Sequence, residues 1–176
     1  MAKLNQSCRV CKQTGHKPGS KDCEHYSEPA DGLVVFQGKE NPLSNFFPCD
    51  VKVFGETHKS AEHAYQLTKA IRSGDFNATE NIRVAPTALE AKRIGDKVKI
   101  PEKWQDQKET VMEEIIHAKA TQVPELREKL ENSDAKTLFA EATNDIFWGT
   151  GLYPDATLHT NPEKMAGRKP ARTDSG

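Results

Sequence analysis

The chain has 176 residues, enough for one ordinary domain with a small appended module. Its 25 basic and 26 acidic residues nearly cancel, which argues against disorder driven by net charge, and its mean hydropathy is −0.75. The sequence holds nothing close to the roughly 18 consecutive apolar residues of a membrane span. The N-terminal segment, MAKLNQSCRV, lacks the apolar core of a signal peptide. We therefore expect an intracellular protein, cytoplasmic or nuclear, with no membrane partner, whose four cysteines are metal ligands or free thiols.

The first informative segment carries closely spaced cysteine and histidine residues. Two residues separate Cys8 from Cys11, which puts both sulfurs on one turn, and Gly15 lets the backbone bend ahead of His16. Cys23 can close a tetrahedral site of three sulfurs and one nitrogen. Because a segment this short cannot build a core, bound metal would have to supply its folding energy.

This spacing resembles a CCHC zinc knuckle, a module that binds single-stranded nucleic acid. The C-x2-C-x4-H part fits that family. However, six residues separate His16 from Cys23 where four are usual, so His25 is an alternative to Cys23 as the last ligand. A disordered basic leader is the alternative interpretation of the whole segment. Its basic residues include Lys12, Lys17 and Lys21, which could meet phosphates. No aromatic residue between the outer cysteines offers a stacking platform, so nucleic-acid binding is a weaker expectation than structural Zn²⁺.

Two strands are predicted next. Residues 27–32 have the composition of a linker, and the apolar, β-branched run Leu33–Phe36 then predicts a buried strand. Val51–Phe54 alternates apolar and polar residues and predicts a second strand, with a turn at Gly55 that leads to a helix.

The segment between these strands, FQGKENPLSNFFPCD, is rich in turn formers. It also contains Leu43, Phe46 and Phe47, which predict a loop pinned against the core. A pinned loop holds polar groups such as Ser44 and Asn45 in fixed positions, as a binding site requires. The alternative, that Asn45 only caps its own turn, is locally as good.

The segment KSAEHAYQLTKA, Lys59–Ala70, predicts a helix that begins at Ser60. Glu62, Gln66 and Lys69 fall at i, i+4 and i+7, so their side chains project from one side. A second stripe with the same period can be buried and consists of Ala61, Ala64, Tyr65, Thr68 and Ile71. Such a helix can line a pocket, although on the spacing alone a solvated Glu–Lys pair on a surface helix is the better interpretation.

After this helix, residues 73–85 are predominantly polar and are expected to form a surface loop. Further helices are predicted over residues 87–98, 104–122 and 124–130. The longest aligns Lys108 and Lys119 with its apolar face, so each lysine either extends to solvent or points into a polar pocket. The apolar pair at 138–139 predicts a short strand or another short apolar element.

The segment EATNDIFWGTGL places an acid beside a tryptophan and a glycine turn. Asp145 precedes Trp148 closely, and Gly149 follows at once. This arrangement suits stacking on a base or sugar, with the glycine allowing close backbone approach to a ligand. A glycine-rich turn that closes over a core tryptophan is an equally good interpretation.

Taken together, these segments resemble the NADAR (YbiA-like) domain family over residues 33–152. The matching motifs are FQG with PLSNFFP, SAEHAYQ with KA, the set Trp104, Lys108, Met112, Lys119, Gln122 and Pro124–Leu126, and EA with DIFWGTGL. Family members are N-glycosidases, some acting on ribosylaminopyrimidine intermediates of riboflavin synthesis and others removing ADP-ribose from guanine bases. The resemblance implies that Glu62 and Asp145 are catalytic or sugar-positioning acids and that Lys69 is an active-site amine.

The expected substrate contacts combine this resemblance with the polar positions described above. They are Ser44, Asn45, Gln66, Trp104, Lys119, Trp148 and Gly149. Breaking a C1′–N bond develops positive charge on the sugar, which a carboxylate stabilises, and the leaving base needs a proton. An amine in a desolvated pocket can attack the opened C1′ and form a Schiff base. We assign that step to Lys69, with Glu62 as acid and base and Lys119 as the rival amine.

One departure from the family lies near the C-terminus. The usual Trp-x-Gly-x-Asn segment and final helix correspond here to Met165–Lys169, where the Trp and Asn are replaced. This departure supports an alternative in which the chain binds ADP-ribose or nucleic acid without turnover.

We therefore predict an α+β fold, mostly helical, with a small sheet built from the two early strands. The expected divisions are a zinc knuckle over residues 1–26, a linker over 27–32, the NADAR domain over 33–160 and a disordered basic tail over 161–176. The predicted activity is hydrolysis of an N-glycosidic bond in ADP-ribosylated nucleic acid or a related nucleotide-like molecule, with no cofactor required for catalysis. The alternative small-molecule substrate is a riboflavin-pathway ribosylaminopyrimidine.

Overall fold

The computed structural model describes residues 7–143, 145 and 147–164. The chain divides into two compact units, residues 1–37 with 134–176, and residues 38–133. Helices and short strands together give the predicted α+β class, with helix predominating. No helix in the described ranges combines the length and the apolar character needed to cross a bilayer.

The unit of residues 38–133 contains a β-hairpin and five helices among its described elements. They are β2 (Val51–Val53), β3 (Glu56–His58), α1 (Ala61–Ser73), α2 (Phe76–Val84), α3 (Ala88–Gly95), α4 (Trp104–Gln122) and α5 (Pro124–Glu131). One hydrophobic core joins α1, α2 and α3 through Leu67, Ala70, Ala78, Ile82 and Ala91. These side chains are small or medium in size, so the three helices pack closely.

Helix α1 has clear start and stop signals. The Ser60 hydroxyl accepts a hydrogen bond from the backbone N–H of His63, and Gly74 ends the helix in the left-handed region at φ 73°. The predicted buried stripe is largely confirmed, since Ala61 and Ala64 are fully buried. Tyr65 is 7% exposed, but Thr68 is half-buried, and Ile71 departs most from the prediction because it is 52% exposed.

The prediction of a surface loop over residues 73–85 was wrong, because α2 occupies most of it. Asp75 caps this helix by accepting from the N–H of Ala78 at 2.9 Å. Ala78 and Ile82, one turn apart, are 7% and 1% exposed, and Ala85 just beyond the helix is 3% exposed. A stripe this narrow among polar residues gives a weak helical pattern, which explains the error.

The predicted strands exist, but they do not share one sheet. β2 pairs antiparallel with β3 across the turn at Phe54 and Gly55, whose φ angles are 53° and 80°. Left-handed geometry at both positions is typical of the tight turns that join hairpin strands. The Gln122 side chain extends the edge of this hairpin, accepting from the Lys52 N–H at 2.7 Å and donating to the Lys52 carbonyl at 2.8 Å.

The unit that joins the two ends of the chain contains β1 (Leu33–Phe36), β4 (Leu138–Glu141) and α6 (Pro154–Leu158). β1 and β4 pair in parallel, with Leu33 opposite Leu138. The predicted strand at 138–139 is confirmed, and α6 was not predicted. Of the predicted tail, residues 162–164 form a 3-10 turn, while residues 165–176, including Met165–Lys169, lie outside the described part. The predicted domain boundaries stay predictions.

Candidate functional site

The polar face of α1 is buried. Glu62 is 7% exposed, Gln66 4% and Lys69 9%, so the structure rules out the alternative of a solvated Glu–Lys pair. Gln66 Nε2 donates to Glu62 Oε1 at 2.8 Å, one helical turn away. Carboxylate, amide and amine thus line one side of a helix inside the unit, as their spacing predicted. The catalytic roles themselves stay predictions.

Lys69 has the properties of a reactive amine. Burial lowers the pKa of its ammonium group, and the charges of Asp96 and Glu62 offset this only in part. Within the described part of the chain, the Lys69 ammonium makes no hydrogen bond or ion pair. A buried amine that has a lowered pKa, and no acceptor among the described residues, is available to a substrate carbon.

The rival amine, Lys119 of α4, is engaged with the backbone. It is 1% exposed, and its Nζ donates to the carbonyl oxygens of Pro42 and Ser44, both at 2.6 Å. Its Nζ also lies 5.7 Å from the centre of the Phe47 ring. Two backbone acceptors at this distance engage the ammonium group as a hydrogen-bond donor. Lys119 therefore anchors the loop that contains Pro42 and Ser44. Its predicted contact with substrate stays a prediction.

The loop that Lys119 holds is pinned as expected. The Ser44 hydroxyl accepts from the Phe46 N–H at 3.1 Å, and the Asn41 side chain accepts from the Leu43 N–H at 3.0 Å. Asn41, rather than Asn45, therefore makes the asparagine turn. The position of Asn41 in a segment rich in turn formers was the sequence signal for this role.

Asn45 links this loop to the helix. Its carbonyl accepts the backbone N–H of Glu62 at 3.0 Å, so the loop meets the first turn of α1. Its side chain is half-buried and caps no turn in the described part of the chain. The alternative in which Asn45 only caps its own turn is therefore wrong. Loop and helix thus bring Asn45 and Glu62 together.

Trp104 lies in the core at the start of α4. It is 3% exposed, its ring centre is 5.3 Å from that of Tyr65, and the Arg72 guanidinium lies 5.8 Å from the ring centre. These contacts stabilise the packing of α4 on α1. Its predicted contact with substrate stays a prediction.

The remaining predicted site residues belong to the unit that joins the chain ends. Asp145 Oδ1 accepts the backbone N–H groups of Phe147 at 2.8 Å and Trp148 at 3.0 Å, so the acid shapes its own turn. Trp148 is half-buried and meets the Phe147 ring edge to face, with centres 4.5 Å apart. A Cβ on Gly149 would lie 2.0 Å from Thr143 Cγ2, so glycine is needed here for the chain's own packing. Their roles toward substrate stay predictions.

The predicted metal ligands converge. The side-chain ligand atoms of Cys8, Cys11, His16 and Cys23 all lie within 4.8 Å of one another. The Cys8 and Cys23 sulfurs are 3.9 Å apart, close to the roughly 3.8 Å edge of a tetrahedron with ~2.3 Å zinc–sulfur bonds. Gly15 takes the left-handed conformation at φ 96° just before His16, as its position predicted. This set of one nitrogen and three sulfurs can hold a metal ion.

Two residues near the α1 face were missed by the sequence analysis. Gly95 of α3 lies so close to α1 that a Cβ on it would be 1.9 Å from Gln66 Oε1. His63 is 4% exposed, its Nδ1 is 2.7 Å from the Ser60 hydroxyl, and its Nε2 is 3.0 Å from the Ala85 carbonyl. For Gly95, the only sequence signal is that a glycine lies near the end of a predicted helix. For His63, the signal is its position three residues after the predicted cap, Ser60.

Comparisons with known proteins agree with the resemblance. A family model described as the NADAR domain matches residues 35–169. The N-glycosidase YbiA of Escherichia coli is 34% identical over 111 residues, which are 62% of this chain and 68% of YbiA. A riboflavin biosynthesis protein of Vibrio vulnificus is 31% identical over 123 residues, 68% of this chain and 33% of that protein. The NMR structure of E. coli YbiA matches with a TM-score of 0.60 at 28% identity, covering 78% of this chain and 83% of YbiA. The matched residues span most of the sequence and the fold agrees, so the chain belongs to the NADAR domain family.

Proposed function

We propose that this protein is an N-glycosidase that removes ADP-ribose from guanine bases in nucleic acid. The observation that carries the proposal is the buried face of α1, where Glu62 and Lys69 lie on one side of the helix. The N-glycosidase name of the E. coli relative supports the reaction class. The predicted zinc knuckle favours nucleic acid as the carrier of the sugar.

The reaction assigned to these residues breaks one C–N bond and consumes one water. The sugar ring first opens as the C1′–O4′ bond breaks and O4′ takes up a proton, which leaves C1′ joined to the base as an imine. The neutral Lys69 amine then adds to this carbon and forms the Lys69–C1′ bond. Glu62 supplies a proton to the base, which leaves with the electron pair of the C1′–N bond. Water then hydrolyses the Schiff base, which releases the sugar and restores the Lys69 amine. The hydrogen bond from Gln66 fixes the Glu62 carboxylate for its proton transfers.

The metal cluster is proposed to hold structural Zn²⁺ through Cys8, Cys11, His16 and Cys23. Three sulfurs and one nitrogen leave no open position on a tetrahedral ion, which is typical of structural rather than catalytic zinc. The bound ion supplies folding energy to this short segment. Lys12, Lys17 and Lys21 are exposed along it and can contact phosphates of a single strand.

The test is release of ADP-ribose from an oligonucleotide ADP-ribosylated on guanine. We expect turnover by the wild-type chain and at least a ~100-fold loss in both Glu62→Gln and Lys69→Ala. Matched controls are Glu90→Gln and Lys97→Ala, which change exposed residues and should leave the rate unchanged. Reduction with borohydride during turnover should attach the sugar to Lys69, which mass spectrometry can locate.

Two other outcomes would redirect the assignment. The Vibrio relative named for riboflavin biosynthesis favours a second candidate substrate, a ribosylaminopyrimidine. Turnover of that small molecule without release from the oligonucleotide would select it. Binding of ADP-ribose with no turnover of either substrate would instead support the inactive binding module.

A further inference from the structure

The cysteine-rich segment packs directly on α6, within the same unit of the chain. Gly19 approaches so closely that a Cβ on it would lie 2.7 Å from the Cα of Ala156. The Tyr26 ring stacks on the His159 ring with centres 5.4 Å apart and planes 7° from parallel. A knuckle acting as a free arm would make no contacts of this kind.

Backbone pairing continues this contact just after the last metal ligand. The Ser27 N–H donates to the His159 carbonyl at 3.0 Å, and the Asn161 N–H donates to the His25 carbonyl at 3.2 Å. Tyr26 and Thr160 form an antiparallel bridge between them. Residues 25–27 and 159–161 therefore form one short ladder.

The contact also reaches the turn after Trp148. Thr157 of α6 is fully buried, and its Oγ1 lies 2.9 Å from Thr150 Oγ1. The Thr150 N–H in turn donates to the Glu141 carbonyl at the end of β4, at 2.9 Å. From the cysteine-rich segment, the Arg9 guanidinium lies 3.5 Å from the carbonyl oxygen of Gly151 in this turn. The ligand-bearing segment thus contacts both the turn and the helix that follows it.

We propose that metal binding orders residues 150–161, so that the cysteine–histidine site clamps the C-terminal segment of the domain. The proposal rests on the structural Zn²⁺ proposed above. Without metal, a segment with so little core loses its fold. The Gly19 and Tyr26 contacts and the backbone ladder are then lost. α6 is only five residues long, too short to be stable alone, and it is left with its packing on β1 and the Thr157–Thr150 contact.

The experiment is hydrogen–deuterium exchange of the full chain, with zinc bound and after chelation, with zinc content measured in each sample. The reporter is a peptide spanning residues 153–161, which includes the hydrogen-bonded amides of Thr157 and His159. The reference is a peptide from α1. We expect exchange in the reporter to accelerate about tenfold or more on zinc removal, to recover on zinc addition, and to stay constant in α1.

Variants separate the metal site from the clamp. Cys23→Ser should lose zinc and loosen the reporter, whereas Cys49→Ser, a cysteine outside the cluster, should do neither. Tyr26→Ala keeps every ligand, so it should retain zinc yet loosen the reporter. If Cys23→Ser fails to fold, chelation and zinc addition on the wild-type chain still decide the result.

Each contrary result has its own meaning. A chain that neither contains zinc nor takes it up overturns the metal site and the clamp together. Zinc that leaves without any change in the reporter overturns the clamp but not the metal site. Loss of α1 protection along with the reporter shows global unfolding and also overturns a clamp confined to this segment.

Discussion

Gln66 and Glu62 are joined by a 2.8 Å hydrogen bond from the amide Nε2 to the carboxylate Oε1. Both side chains are more than nine-tenths buried, so this bond fixes the carboxylate where water cannot replace the amide. The Gln66 amide in turn packs directly against Gly95 of α3. A Cβ at position 95 would lie 1.9 Å from Gln66 Oε1, so only glycine fits beside it. The orientation of the proposed acid and base therefore depends on a glycine in another helix.

Gly95→Ala tests this dependence. A Cβ at 1.9 Å from Gln66 Oε1 would force the amide to move and weaken its hold on Glu62. We expect a fall in kcat of about tenfold and a loss of ~1–3 kcal/mol in the free energy of unfolding. Steady-state kinetics and urea denaturation measure the two effects.

The matched control for that substitution is Glu90→Ala, an exposed position on the same helix. It should leave both quantities near wild type. Unchanged kcat in Gly95→Ala would show that Glu62 does not depend on the packed amide.

The pH profile of turnover should report Lys69. Because burial lowers the pKa of this lysine, the neutral amine that attacks C1′ appears at lower pH than for an exposed lysine. Activity should therefore rise with pH through this lowered value. Asp96 carries a negative charge that raises the pKa of Lys69, so Asp96→Asn should move the rise to lower pH. A rise that does not move in Asp96→Asn would point to another titrating group.

Lys119→Met should damage the fold more than the chemistry. It removes the donor from the part-buried Pro42 carbonyl and the buried Ser44 carbonyl, and we expect a loss of ~2–5 kcal/mol in the free energy of unfolding. The folded fraction should still form a borohydride-trapped adduct at Lys69. Loss of the adduct from fully folded Lys119→Met would instead make Lys119 the reactive amine.

His63 should make the fold sensitive to mild acid. Burial lowers the pKa of its imidazole below the ordinary value of 6.5. As the pH falls from about 6.5 toward the lowered value, the unfolded chain takes up a proton that the folded chain does not, so stability decreases. Above about pH 6.5 neither state is protonated, and this contribution is constant.

Thermal melts at about pH 7.5 and pH 5.5 measure this sensitivity. The fall in Tm should be smaller in His63→Gln than in wild type, and it should not be abolished, because burial lowers the pKa of His58 as well. His117→Gln, at an exposed position, should match the wild-type fall. Equal falls in His63→Gln and wild type would show that His63 is protonated without penalty.

Local patterns predicted the helix that carries the site. Ser60 as a cap and a regular apolar stripe define α1, and the spacing of Glu62, Gln66 and Lys69 puts them on one side whatever surrounds the helix. The same kind of reasoning failed at α2. Its buried face consists of Ala78, Thr79 and Ile82, and so sparse a stripe does not stand out from polar neighbours.

Sheet pairing could not be read from the strands alone. The sequence indicated Leu33–Phe36 and Val51–Phe54 as strands, but β1 pairs with a segment a hundred residues later along the chain, and β2 pairs with its immediate neighbour. Strand propensity describes a half-buried surface and does not specify a partner. Burial of long-range contacts decides which partner is chosen.

The sequence by itself determined the helix bearing the polar face, the cysteine and histidine spacing that suits a metal, and the membership in the NADAR domain family. All three depend on residues close together in the chain or on their order. Only the tertiary structure decided that Lys119 donates hydrogen bonds to two loop carbonyls, whereas Lys69 has no hydrogen-bond acceptor among the described residues. It also decided that the metal ligands lie beside α6. These facts depend on which distant groups share a buried space, and burial sets both the pKa of an amine and the partners that it can find.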